Sequence, residues 1–283
     1  MSLPDATTMG PVRLVAADLD AMAAFYRRAV GLADRPSPAG EVHLGVGGRT
    51  LVELAGDPAA TPRPHRTTGL FHLALLVPSR ADLAQALHRV SGAGWRFSGA
   101  SDHLVSEALY LDDPEGNGIE IYRDRPREEW PRRDGELLMD TLPMDVEGVL
   151  AELPPGTPDE GMPEGTTMGH VHLQVRDLDE AETFYAGLLG FDVTVRGYPG
   201  ALFVSAGGYH HHLGLNTWGT RDAPAPPPGS RGLNRVRIDL PSAADVAAAG
   251  ERLRAAGREG DELAEGLAVA DPSGNRLLLV AAA

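Results

Sequence analysis

Histidines and carboxylates carry the chemistry in this chain, because it has no cysteine. Without thiolates there is no disulfide, and any metal must be held by imidazole or carboxylate. Three of the ten histidines, His210, His211 and His212, stand in a row within GGYHHHLGLNTW. His72 lies in the apolar run FHLALLV, and Glu120 sits between two isoleucines in GIEIY. A carboxylate so placed needs water or a partner that offsets its burial. His170 and His172 in GHVHLQV are two apart, so on a strand they share a face. His103 and Tyr110 both occur in SDHLVSEALY, the tyrosine ten residues before Glu120. His43, His65 and His88 fit no pattern and read as surface residues.

The elements that must position these residues are repeated. MGPVRLVAADLDAMAAFYRRAVG (9–31) and MGHVHLQVRDLDEAETFYAGLLG (168–190) agree at ten of 23 positions, the mark of an internal duplication. Each reads as an alternating strand, an Asp-Leu-Asp helix start, and a helix carrying Phe25-Tyr26 or Phe184-Tyr185. Gly31 and Gly190 stand where a helix C-cap is expected. A second repeat pairs LYLDDPEGNGIEIY (109–122) with LAVADPSGNRLLLV (267–280), a strand, a turn and a strand in each case. Another strand and helix precede each of these. Four modules of one helix and several strands result, at about 10–55, 69–123, 169–216 and 232–281. This places a first domain at 1–123, a second at 168–283, and a linker at 124–167 rich in Pro, Gly and acidic residues. The linker is too long for a plain turn, and it either covers a site or spans a distance.

Bulk composition narrows the function. With 42% apolar and 23% charged residues, the chain matches a soluble globular protein. A net charge of −15 opposes nucleic-acid and anionic-membrane partners, which leaves a small molecule or a protein. No 18-residue apolar run and no basic-then-apolar leader occurs, so a cytoplasmic protein is expected. Exposed edges of cupped sheets favour association into a homo-oligomer.

Four βαβββ modules with a D-L-x-x-a-x-x-F-Y helix and a closing D-P-x-G-N strand resemble the vicinal oxygen chelate superfamily. That group includes glyoxalase I, extradiol catechol dioxygenases and bleomycin-binding proteins, and the resemblance covers nearly the whole chain outside the linker. It implies an α+β fold in which modules pair into cupped mixed sheets around one metal. Each module offers a ligand position on its first strand and another on its last. In chain order these positions are Pro11 and Glu53, His72 and Glu120, His170 and Leu213, and Arg235 and Leu278. Pairing in sequence order would put Glu53, His72 and Glu120 in one cup and His170 alone in the other. Pairing modules two and three instead brings His72, His170 and Glu120 together. That arrangement is favoured, because two imidazoles and one carboxylate are the facial triad that leaves room on Fe(II), or alternatively Mn(II), for substrate and O2.

Among these relatives the resemblance is greatest to two-domain proteins of the catechol 2,3-dioxygenase kind. It implies that Tyr110 hydrogen-bonds a substrate oxygen and that His211, two residues before the Leu213 position, is the catalytic acid/base. His103 resembles a second active-site histidine, at a slightly shorter spacing from the tyrosine than the family uses, and would hydrogen-bond the reacting oxygen. Counted back from Leu213 along a strand, His211 and Tyr209 face the cup, while His210 and His212 face away. The expected activity is extradiol ring cleavage of a catechol-type diol with O2. Two alternatives are a glyoxalase-type isomerase or lyase, which usually needs four protein ligands, and a metal-free protein that sequesters a small molecule such as a drug.

Overall fold

The computed structural model describes residues 2–282. Module one comprises β1 (Thr8–Ala16), α1 (Leu19–Phe25), β2 (Ala33–Arg35), β3 (Glu41–Val46) and β4 (Arg49–Gly56). Module two comprises β5 (Gly69–Leu76), α2 (Arg80–Gly92), β6 (Phe97–Asp102), β7 (Ser106–Asp112) and β8 (Gly118–Asp124). The linker carries β9 (Arg132–Arg133), β10 (Glu136–Leu137), β11 (Leu142–Pro143) and the short α3 (Val146–Ala151). Module three is β12 (Thr167–Gln174), α4 (Leu178–Glu182), β13 (Asp192–Val195), β14 (Ala201–Ser205) and β15 (Leu213–Asn216). Module four is β16 (Gly232–Leu240), α5 (Ala243–Ala255), β17 (Asp261–Leu263), β18 (Gly266–Ala270) and β19 (Arg276–Ala281).

The repeated motifs form because each satisfies its own backbone. Asp18 and Asp177 cap α1 and α4 by accepting the N–H groups of Ala21 and Glu180. Ser79 and Ser242 cap α2 and α5 in the same way, accepting from the N–H groups of Asp82 and Asp245. Beyond α1 and α4 the chain widens into π-helical turns, Tyr26–Val30 and Thr183–Leu189, which end at Gly31 and Gly190. Both Phe-Tyr pairs pack edge to face, at 5.2 Å and 5.1 Å.

By backbone contact the chain groups into two compact units: Met1–Arg13 with Thr61–Phe71 and Gly169–Ala283, and Leu14–Ala60 with His72–Met168. In the second unit, Met22, Tyr26, Leu44, Leu73, Leu83 and Tyr122 are fully buried. There the Tyr26 hydroxyl donates to Asp113 Oδ2 at 3.2 Å, tying the first helix to the Asp-Pro-x-Gly-Asn turn of the next module. Asp113 also accepts from the backbone N–H groups of Glu115 and Asn117 and from Asn117 Nδ2. The first unit repeats this lock with Tyr185, Asp271 and Asn275, at 3.0 Å for the tyrosine bond. Its core includes Phe184, Val236, Ile238, Leu253 and Leu277.

The hydrogen-bonded strand order is β17-β18-β19-β16-β1-β4-β3-β2 in one sheet and β11-β6-β7-β8-β5-β12-β15-β14-β13 in the other. First and last strands run parallel in modules two, three and four, whereas the hairpins are antiparallel, so the sheets are mixed. The strands of modules two and three, with β11 of the linker, are those in the nine-stranded order. Among the described residues, no helix is long and apolar enough to cross a membrane.

Candidate metal centre

In module two, strand register sets the first two donors. β5 and β8 pair in parallel with His72 opposite Gly118 and Ala74 opposite Glu120, so the two donors sit diagonally on one face. Both are buried, and His72 Nε2 lies 2.9 Å from Glu120 Oε2. Tyr110 on β7 stands directly across from Glu120, its ring 5.6 Å from that of His72. The Ala74, Ala108 and Tyr122 side chains pack beside them.

His103 occupies the turn between β6 and β7. Its Nε2 lies 2.6 Å from the Tyr110 hydroxyl, and its Nδ1 lies 2.8 Å from the carbonyl oxygen of Asp140 in the linker. A carbonyl can only accept, so Nδ1 carries the proton and, in a neutral ring, Nε2 accepts from Tyr110. The linker reaches this place because β11 adds to β6, pairing Leu142 with Asp102.

In module three, His170 is 2% exposed on β12. β12 and β15 pair in parallel with Val171 opposite Leu213 and His172 opposite Gly214. Repeating the His72–Glu120 offset from His170 leads to Gly214. This corrects the expected fourth ligand position from Leu213 by one residue. Leu213 shares the face of Val171, and Gly214 offers no donor. The place of a side chain at 214 is taken by the imidazole of His172, whose Cγ and Cδ2 would lie 2.8 Å from a Cβ there.

The histidine run departs from the parity expectation as well. Gly207 and Gly208 both take positive φ, 61° and 66°, so the chain turns there and the regular strand starts only at Leu213. Alternation cannot be counted back through such a turn, and all three imidazoles are under a tenth exposed. His211 lies against His170, ring centroids 4.1 Å apart, and Phe203 packs edge-on to it at 4.9 Å. His210, expected to face away, instead places its Nδ1 2.7 Å from His211 Nδ1. One proton lies between those nitrogens, so one ring donates and the other accepts. His212 Nδ1 accepts the Ala206 backbone N–H at 3.2 Å and lies 2.9 Å from Ser205 Oγ, a structural role.

The donor atoms of His72, Glu120 and His170 all lie within 4.8 Å of one another. Two neutral imidazoles and one carboxylate, all buried, suit a divalent ion that takes N and O ligands, and the donor set alone admits several such ions. Residues that motif reading passed over include His210, the Asp140 carbonyl and the ring group of Phe71, His172, Phe203 and Trp218. Of these, two had a signal in the sequence: His210 through its place in the histidine run, and His172 through its place two residues after His170.

The chain is similar to known proteins both in sequence and in fold. A profile of the Glyoxalase/Bleomycin resistance protein/Dioxygenase superfamily matches residues 8–121 and again 167–279. A Bacillus subtilis (strain 168) protein named catechol-2,3-dioxygenase is 42% identical over 279 residues, covering 96% of each chain. A B. subtilis crystal structure described as a candidate dioxygenase superposes with a TM-score of 0.71 at 12% identity, covering 99% of this chain and 86% of that one. Glyoxalase I from Zea mays gives 0.60 at 16% identity, covering 98% and 92%. At such identities the two structures speak for the fold alone.

Proposed function

Because the chain belongs to the glyoxalase/bleomycin resistance/dioxygenase superfamily, we propose that it is a metal-dependent extradiol dioxygenase, cleaving a catechol-type diol with O2. The observation that carries this reading is the convergence of His72, Glu120 and His170, with no fourth histidine or carboxylate grouped with them among the described residues. The 42% identical relative bears a name for that activity. Fe(II) is the favoured ion and Mn(II) the alternative, since both accept this donor set. When bound, the metal supplies a template that holds diol and O2 together and passes electrons between them.

The protein's own groups then handle protons and orientation. His211 presents Nε2, the nitrogen not engaged by His210, to take a proton from the diol and return it later. Tyr110 donates to His103, so its oxygen accepts from the second diol hydroxyl and fixes the ring. His103, anchored on the Asp140 carbonyl, holds Tyr110 in that orientation. A glyoxalase-type reaction lacks support here, because Gly214 leaves the fourth ligand position without a donor. A metal-free binding role has no use for three convergent buried donors. The net charge of −15 suits a small substrate in the cytoplasm better than a nucleic acid.

Protein purified without oxygen should carry about one Fe or Mn per chain, as one triad implies. With catechol and O2 it should form a yellow ring-opened semialdehyde. Protein that cannot be loaded with metal, or that isomerises a hemithioacetal while leaving every catechol untouched, would end this reading.

A further inference from the structure

Beyond His170, the same face of β12 continues through His172 to Gln174. The His172 ring lies over Gly214 and within 5.3–5.7 Å of three aromatic rings: Phe71, Trp218 and Phe203. His172 and Phe203 are buried, whereas Phe71 and Trp218 are each 38% exposed, so this ring wall opens to solvent at one end. Gln174 comes next. Its Nε2 donates to the Trp218 carbonyl at 3.3 Å, and its Oε1 accepts from Arg63 Nη2 at 2.8 Å.

Arg63 is half-buried, and its other acceptors are also neutral: the carbonyls of Leu70 at 3.0 Å and Thr68 at 3.5 Å. Gly69 gives it room, since a Cβ there would meet Nη1. Among the described residues no carboxylate pairs with Arg63, in a chain that carries 40 acidic side chains. Burial pulls its pKa down, the sign of a cation short of solvation. Neutral acceptors offset that loss only in part, and a guanidinium is well shaped to hold a carboxylate by two hydrogen bonds.

We propose that the ring wall and Arg63 form a substrate subsite for a flat apolar arm ending in a carboxylate, so that the preferred diols are catechols bearing a short carboxylate-terminated side chain. From His170 to Gln174 the strand advances about 13 Å, enough for one ring and an arm of a few atoms. The diol end of this proposal rests on the dioxygenase reading. The anion end does not.

The test titrates the purified protein without oxygen, using 3-phenylpropionate and 3-phenylpropanol, and follows tryptophan fluorescence with Trp218→Phe as the control for its source. The carboxylate should bind at least ten-fold more tightly. Arg63→Gln should remove that preference while leaving the alcohol's affinity unchanged, and Arg63→Lys should retain part of it. Equal affinities in the unaltered protein, or an Arg63→Gln protein that keeps its circular dichroism yet loses both ligands equally, would overturn the subsite. Turnover separates the two proposals. Catechols cleaved with no advantage for the carboxylated ones defeat the subsite alone, whereas a carboxylate preference in binding with no catechol cleaved defeats the dioxygenase reading alone.

Discussion

Modules two and four share a frame and differ in chemistry. Each has a serine cap followed three residues later by aspartate, and each has an Asp-Pro-x-Gly-Asn turn whose aspartate takes a buried tyrosine hydroxyl. At matching places on the first and last strands, module two has His72 and Glu120, and module four has Arg235 and Leu278. Leu278 packs with Ala268 and Val280, and Arg235 forms an ion pair with Glu265 at 2.7 Å. Frame residues bond to groups in their own half, so a change there acts on stability rather than on the metal position. The ligand positions are free of that duty, and one frame can carry a metal donor or an apolar plug.

Substitutions that challenge this division should differ in kind as well as in size. The largest effect belongs to Glu120→Ala, which should abolish bound metal and bring turnover to background, with metal analysis as the direct check. His211→Ala should keep the metal and lower kcat by about 10²- to 10⁴-fold. Loss of metal instead would show that His211 is a ligand. In module four, Leu278→Ala should cost about 2–5 kcal/mol of stability in denaturant unfolding while leaving metal content alone. If it emptied the metal site, the two modules would not be separable in this way.

The smallest effect concerns the turn lock and its dependence on pH. Burial pushes the Asp113 carboxyl up to about 6, against the hydrogen bonds from Asn117, Glu115 and Tyr26 that favour its charge. A carboxyl raised in the folded state contributes stability that is full below its unfolded pKa and lost as pH rises through 6. Two units correspond to about 3 kcal/mol as an upper figure. Stability of the unaltered protein relative to Asp113→Asn should therefore rise as pH falls from 7 to 4. Burial raises Asp271 as well, so Asp271→Asn should shift in the same direction. An opposite slope at either site would mean that the hydrogen bonds outweigh burial.

What could be read in advance was whatever repeats or alternates. The four modules, the capping aspartates and the candidate donors His72, Glu120 and His170 all sit in regular strands or in turns with a sequence signature. Strand register puts the last-strand position of module three at Gly214 rather than Leu213, a one-residue offset that no motif marks, and the count back from Leu213 to His211 fails because the paired glycines at 207 and 208 detach the histidine run from the strand. The Asp140 carbonyl could not be anticipated, since every residue has one and only the addition of β11 to β6 brings it to His103. Phe71, Phe203 and Trp218 meet around His172 from distant stretches, so no spacing announces them.

Burial of His210, His211 and His212 has a practical consequence at the bench. Three adjacent imidazoles invite comparison with an affinity tag, yet each is under a tenth exposed and two have their Nδ1 atoms committed to each other. The native chain should pass through a nickel-chelate resin that captures it once urea has opened the fold, so retention on the column becomes a gauge of unfolding.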